Sequence, residues 1–298
     1  MKVVIIGCGY LGLRLGSFLS STGHEVIGIR RSAEHRDRML SHGIRLFQAD
    51  VTQIDSMSSV LEQADCVVNT VSSSKGGKEV YRLVYLDATC KLMEYFIKQN
   101  RSLRYVHVSS TSVYAQNDEG WVNEECAAVG ASETSKVLVE TENEIRRYST
   151  TSQGARPQPL IVRSAGIYGA GRGHAFKQFL AGEAVLDPNR DRWMNMIHVD
   201  DLVAACAKLL AIDGLVGTFN VVDNEPTLQS RFYGWLAKRL ERPMPPALKG
   251  SGVEPQRKRG DTNKRVSNAK LRAVIGDWLK YPSFREGYEA EIRLSLPA

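Results

Sequence analysis

No apolar run in this 298-residue chain approaches the ~20 residues that a membrane-crossing helix requires. The charged stretch that opens a secretory leader is lacking as well, because Met1 and Lys2 run straight into an apolar segment. A cytoplasmic protein with no membrane partner is therefore the expectation. Cysteine is scarce and scattered: Cys8, Cys66, Cys90, Cys126 and Cys206 form no Cys-x-x-Cys pair, which disfavours a disulfide framework and a zinc site alike. They read as reduced thiols, with Cys8, inside the glycine loop, either a small apolar filler or a reactive thiol. Internal repeats and low-complexity tracts are missing too. No aromatic residue is interleaved with the basic cluster Lys249, Arg257, Lys258, Arg259, Lys264 and Arg265, so it offers no platform for stacking bases, and nucleic acid is not expected as a partner. The formal charge of +6 suits an anionic small molecule, with that cluster either a solvated loop or an anion-binding lid.

What the chain does have is an apolar run, Val3 to Ile6, that enters Gly7-Cys8-Gly9-Tyr10-Leu11-Gly12. Leu11, Leu15, Phe18 and Leu19 then recur at helical spacing. Strand, Gly-x-Gly-x-x-Gly and helix in that order make a dinucleotide site. The first glycine permits the tight turn, the second lets a pyrophosphate approach bare backbone, and the third lets helix and strand pack closely.

Strand-like and helical runs alternate beyond this loop, which predicts an α/β protein with a Rossmann-type doubly wound parallel sheet. Strands are predicted at Val3 to Ile6, Glu25 to Ile29, Arg45 to Gln48, Cys66 to Val71, Tyr105 to Ser109 and Leu160 to Arg163. Helices are predicted from Leu11 to Thr22, Glu34 to His42, Ser56 to Gln63, Lys78 to Gln99 and Glu133 to Tyr148. The pattern turns irregular after Arg163, so a dinucleotide domain over 1–165 and a smaller α/β substrate lobe over 166–298 are expected. In the lobe, Val199 to Ala211 reads as a helix capped by Asp200 or Asp201, Thr218 to Val222 as a strand free to rejoin the main sheet, and Gly250 to Asn263 as a flexible loop.

Cofactor choice is read at the end of the second strand. A carboxylate there would take the ribose hydroxyl of NAD, but the chain has Arg30, Arg31 and Ser32, a set that clamps the 2′-phosphate of NADP. NADP(H) is the expected cofactor and NAD(H) the alternative. Asp50 and Val51 after the third strand are placed to flank an adenine, with Asp50 alternatively capping the next turn. Val71, at the end of the fourth strand, joins the expected cofactor contacts.

Three further stretches carry a family likeness: Val108-Ser109-Ser110-Thr111-Ser112-Val113-Tyr114, Arg163-Ser164-Ala165-Gly166-Ile167-Tyr168-Gly169-Ala170-Gly171-Arg172, and Ile197-His198-Val199-Asp200-Asp201-Leu202. With the glycine loop they resemble the extended short-chain dehydrogenase/reductases, the NAD-dependent epimerase/dehydratase family. The resemblance implies a substrate cleft beside a dinucleotide laid across the strand ends, with Ile167 near the cofactor. It also implies a catalytic serine, matched by Ser110, and a Tyr-x-x-x-Lys pair on one helical face. Lys136 matches the lysine, which orients the nicotinamide ribose. The tyrosine position holds Ser132, a far weaker acid and too short to reach where the phenol would lie. Tyr114, Tyr168 and His198 are candidates to replace the phenol, and each also has a structural reading. The arginine that nucleotide-sugar members carry before the histidine is Met194 here, which argues against a nucleotide-diphosphate sugar and leaves Arg172, Arg192 and the basic cluster for a smaller anion. The chain thus reads as an atypical oxidoreductase or epimerase/dehydratase-like enzyme, or as a catalytically weak or inactive NADP(H)-binding sensor or regulatory protein, with a homodimer among the assemblies open to it.

Overall fold

The computed structural model describes residues 1–73, 77–151, 154–248 and 262–295. They form two compact units: 1–113, 128–163 and 203–219 in one, and 114–127, 164–202 and the chain from 220 onward in the other.

The first unit is built on a seven-stranded sheet. Its strands are β1 (Lys2–Ile6), β2 (Glu25–Arg30), β3 (Ile44–Gln48), β4 (Cys66–Asn69), β5 (Arg104–Ser110), β6 (Gln158–Ser164) and β7 (Gly217–Val221), in the order β7-β6-β5-β4-β1-β2-β3. The pairs β1–β2, β1–β4, β2–β3 and β4–β5 are parallel, with Val3 opposite both Val26 and Cys66. Val3, Val4, Ile5 and Ile6 are all buried, as strands covered on both faces must be. Order reverses between β1 and β4, which is where α/β sheets bind ligands. The strand expected at Thr218 to Val222 is β7 and lies at the sheet edge beside β6.

Helices α1 (Tyr10–Ser21), α2 (Arg36–Ser41), α3 (Ser58–Leu61), α4 (Lys78–Arg82), α5 (Ala88–Lys98) and α6 (Glu133–Thr151) follow the predicted order. Two details differ from the sequence reading. The fourth strand stops at Asn69 rather than Val71, because the Asn69 side-chain oxygen takes the Val71 N–H at 3.1 Å and turns the chain. The long helix expected from Lys78 is interrupted by a π-helical turn, Leu83–Asp87, between α4 and α5.

The second unit has an aromatic core of Tyr168, Phe176, Phe232, Tyr233, Phe284 and Tyr288 under short strand pairs. The helix expected at Val199 to Ala211 spans Val199–Ala211, but neither aspartate caps it as predicted. His198 Nδ1 accepts the Asp200 N–H at 3.2 Å, while the Asp201 carboxylate takes the backbone N–H groups of Lys280 and Tyr281 at 2.7 and 3.0 Å. Sequence spacing shows which groups are near along the chain, and this carboxylate is used by a distant segment. Among the described residues no helix is long and apolar enough to cross a membrane.

Most of the expected loop from Gly250 lies outside the described residues, as do Lys249, Arg257, Lys258 and Arg259. Lys264 and Arg265 are described, and neither is simply solvated. Lys264 is buried, and the Arg265 guanidinium lies 5.2 Å from the Trp121 ring and 5.1 Å from the Trp193 ring. Aromatic partners absent from the local sequence are thus supplied by tertiary folding.

Candidate functional site

Gly7 adopts φ +75°, and a Cβ on it would sit 2.6 Å from Val71 Cα. The exit of β4 therefore lies against the glycine loop, and Thr70 fastens it by donating its hydroxyl to the Gly7 carbonyl at 2.9 Å. A Cβ on Gly12 would be 2.8 Å from Thr70 Oγ1 and 3.0 Å from Ile5, the close helix-to-strand contact expected of the third glycine. Gly9 differs from both: its Cβ would meet only the Gly7 carbonyl oxygen, at 3.7 Å. Gly9 is also the N-cap of α1, without a side-chain cap and with no acidic residue in the first turn. Open space over an uncapped helix start suits an anion. These residues fit a dinucleotide pyrophosphate. Leu11 is buried beneath the loop, while Tyr10 carries the Arg14 guanidinium 4.1 Å above its ring. Burial pushes the Cys8 thiol up to about 12, in keeping with an inert filler.

At the end of β2, the Arg30 guanidinium is half-buried and donates to the Cys8 carbonyl at 3.0 Å, so it is drawn over the glycine loop. Arg31 is exposed, and its carbonyl accepts from the Gln48 side chain. Ser32 Oγ accepts the Glu34 N–H at 3.2 Å. Asp50 closes its own turn by accepting from the N–H and hydroxyl of Thr52 at 2.9 and 2.8 Å, and Val51 packs into the core beside Ile54 and Met57.

Across the sheet, Ser110 ends β5 half-buried, its Oγ accepting the Ser112 N–H at 3.1 Å. The Val113 carbonyl accepts from Val129 and Gly130, which ties this strand end to the approach to α6. Ser132 sits immediately before that helix. Its Oγ accepts the Ser135 N–H at 3.2 Å while Ser135 Oγ accepts the Ser132 N–H at 2.8 Å, a reciprocal capping box with serine at both places. The residue standing where a phenol is expected thus serves as a helix cap. Replacing it by Ala should cost about 1 kcal/mol of stability, read as a lower urea midpoint at unchanged slope. Lys136 is exposed one turn on, with Nζ 2.9 Å from Glu133 Oε1. Lys78 holds the other oxygen at 2.6 Å, and the bonds from Lys78 and Lys136 take the Glu133 carboxyl down to about 2.

In the second unit, the candidate replacements for the phenol are all in structural use. Tyr114 is fully buried and donates to Asn220 Oδ1 at 2.9 Å. Tyr168 stacks on Tyr288 at 4.4 Å, and burial holds its hydroxyl well above the ordinary phenol range. Buried His198 accepts at Nδ1, which leaves Nε2 to face Glu291 at 3.4 Å. Ile167 lies half-buried in a short parallel pair with Ile197, Met194 pairs with Thr227, and Arg172 is exposed in a turn with Gly169. Arg192 is half-buried. Sequence reasoning placed Lys264 in the basic cluster but missed its burial; its Nζ donates to Thr262 Oγ1 at 2.7 Å, and burial pushes its pKa down to about 8. A lysine within a basic run gives no signal of burial.

Comparison with known proteins identifies the family and the fold. Protein YeeZ of Escherichia coli strain K12 is 27% identical over 244 residues, 80% of this chain and 84% of that protein. A solved structure from Methylobacillus flagellatus, described as an NAD-dependent epimerase/dehydratase, is 30% identical and superposes with a TM-score of 0.76 over 99% of this chain and 98% of that one. The dTDP-glucose 4,6-dehydratase of Bacillus anthracis, solved in complex with NAD, shares the fold at a TM-score of 0.82 and 15% identity, over 99% and 96% of the two chains. Residues 3–221 match the NAD dependent epimerase/dehydratase family, and the chain belongs to that family.

Proposed function

We propose that this protein is an NADP(H)-dependent oxidoreductase or epimerase/dehydratase-like enzyme acting on a small anionic molecule. The observation that carries this reading is the open space at Gly9 above the uncapped start of α1. When bound, the nicotinamide would give or take a hydride. Tyr10, Leu11 and Gly12 line the pyrophosphate approach, and Arg30, Arg31 and Ser32 hold the adenosine end, where two guanidiniums favour a 2′-phosphate. Lys136 hydrogen-bonds a ribose hydroxyl, and Lys78 keeps Glu133 neutralised when Lys136 leaves it. Ser110 hydrogen-bonds the substrate oxygen. Met194, in place of the arginine of nucleotide-sugar enzymes, favours an anion smaller than a nucleotide diphosphate.

NADPH is accordingly expected to bind more tightly than NADH, and the double variant Arg30→Ala/Arg31→Ala to bring the two affinities together. Each hydrogen bond to a charged group is worth about 1.5–3 kcal/mol, so the preference should fall about tenfold or more. Titration of intrinsic fluorescence with both cofactors measures it. A wild-type preference for NADH overturns the assignment.

A second reading, a binding protein with little or no turnover, is favoured by the use of the Ser132 hydroxyl in the capping box. NADPH oxidation against a panel of carbonyl compounds, with wild type and Ser132→Tyr, separates the two. Turnover near ~10 s⁻¹ by the wild type supports an enzyme with another proton donor. Activity only in Ser132→Tyr supports a disabled site.

A further inference from the structure

The unit that holds Ser132 also holds Tyr85. Tyr85 lies in the π-helical turn Leu83–Asp87, a departure from α-helix that occurs often at functional sites. This turn packs along α6, the helix that begins beside Ser132 and carries Lys136. The Tyr85 side chain is buried and stacked on Tyr81 at 4.2 Å between centroids. Its hydroxyl accepts the backbone N–H of Ser73 at 3.1 Å, and its own proton has no acceptor among the described residues. Hydroxyls shielded from solvent normally use their donor, so a half-buried hydroxyl at the strand exit that accepts one bond and donates none points to a ligand.

The position of Ser73 identifies which part of a ligand that is. Val71 and Thr70 lie against the glycine loop, and Ser73 is two residues further along the same strand exit. With the pyrophosphate at Gly9, the adenosine end runs toward β2 and β3, where Arg30 and Asp50 lie. The other half must run across the reversal in strand order toward β4 and β5. Tyr85 is on that side.

We infer that Tyr85 is a cofactor-contacting residue, its hydroxyl donating to the nicotinamide-ribose half of the dinucleotide and supplying there the phenol that Ser132 does not. The inference rests on the dinucleotide reading of the glycine loop, and its test separates the two. Wild type and Tyr85→Phe are titrated with NADPH and with 2′,5′-ADP, which keeps the adenosine end and lacks the nicotinamide-ribose half. The expected result is a loss of about three- to tenfold in NADPH affinity with 2′,5′-ADP binding unchanged, the unchanged ligand also showing that the variant is folded. Equal loss for both ligands, or no loss for either, overturns the contact while leaving the dinucleotide site in place. Failure of the wild type to bind NADPH or NADH overturns the dinucleotide reading and this contact with it.

Discussion

Gly9→Val is expected to abolish dinucleotide binding while leaving the protein folded. The two halves of this expectation come from the same geometry. A Cβ at Gly9 meets only the Gly7 carbonyl oxygen at 3.7 Å, so the side chain enters open space and the protein core is untouched. That space is where the pyrophosphate must sit to reach the start of α1. Loss of two charge-assisted bonds there corresponds to about 3–6 kcal/mol, or a fall in affinity of about 10²- to 10⁴-fold. Isothermal titration with NADPH, beside a thermal melt, tests both halves, and unchanged affinity in a folded variant would show the loop to be only a structural turn. Gly7→Val should behave differently. Its positive φ and a contact of 2.6 Å to Val71 Cα predict a loss of folding stability as well as of binding.

Glu142→Ala is expected to be the most destabilising of the substitutions considered. Glu142 on α6 is fully buried and takes bonds from three partners: Ser109 of β5 at 2.6 Å, Arg163 of β6 at 2.6 Å and Arg146 at 2.9 Å. Arg146 continues to Thr218 of β7 at 3.1 Å, so one carboxylate fastens α6 across three strands. Arg163 is only 3% exposed, and removing its carboxylate leaves a positive charge in the interior, a change that costs about 3–5 kcal/mol. That is a large share of the stability of a protein this size. Glu142→Ala/Arg163→Met should recover most of the loss, since the pair would then be replaced by apolar volume. Urea unfolding of the two variants tests the pair, and a loss below about 1 kcal/mol in Glu142→Ala would mean that the network adds little.

The same carboxylate sets an acid limit. Burial pushes its pKa up, but the bonds and charge of Arg163, with Ser109 and Arg146, outweigh this and hold it below the ordinary 4.5. A depressed folded pKa means that the stabilisation is fully present above pH 4.5 and is lost as pH falls below that value. The wild type should therefore lose stability on this limb, and Glu142→Ala should show a flatter one. Because α6 carries Lys136, the variant should also bind cofactor more weakly where it remains folded.

The amino-acid sequence by itself determined the glycine loop, the alternation that builds the sheet, and the positions of Ser110, Ser132 and Lys136. Each of these is local: a strand of Val and Ile buried on both faces, a turn that only glycine allows, or two side chains one helical turn apart are all written in neighbouring residues. Tertiary structure decided what the side chains do once partners arrive from far along the chain. Ser132 became legible as a helix cap only when Ser135 was seen to return its bond. Asp201, one of two aspartates read as a cap, serves Lys280 and Tyr281 instead, and Arg265, read as part of a solvated loop or an anion-binding lid, lies about 5 Å from the rings of both Trp121 and Trp193. Tyr85 gave no signal in the sequence, since an aromatic at helical spacing reads as core, and its hydroxyl meets Ser73 only because the sheet brings the exit of β4 against the helix that follows. Hydrophobic periodicity records which face of an element is buried, and it carries no information about which distant donor or acceptor waits there.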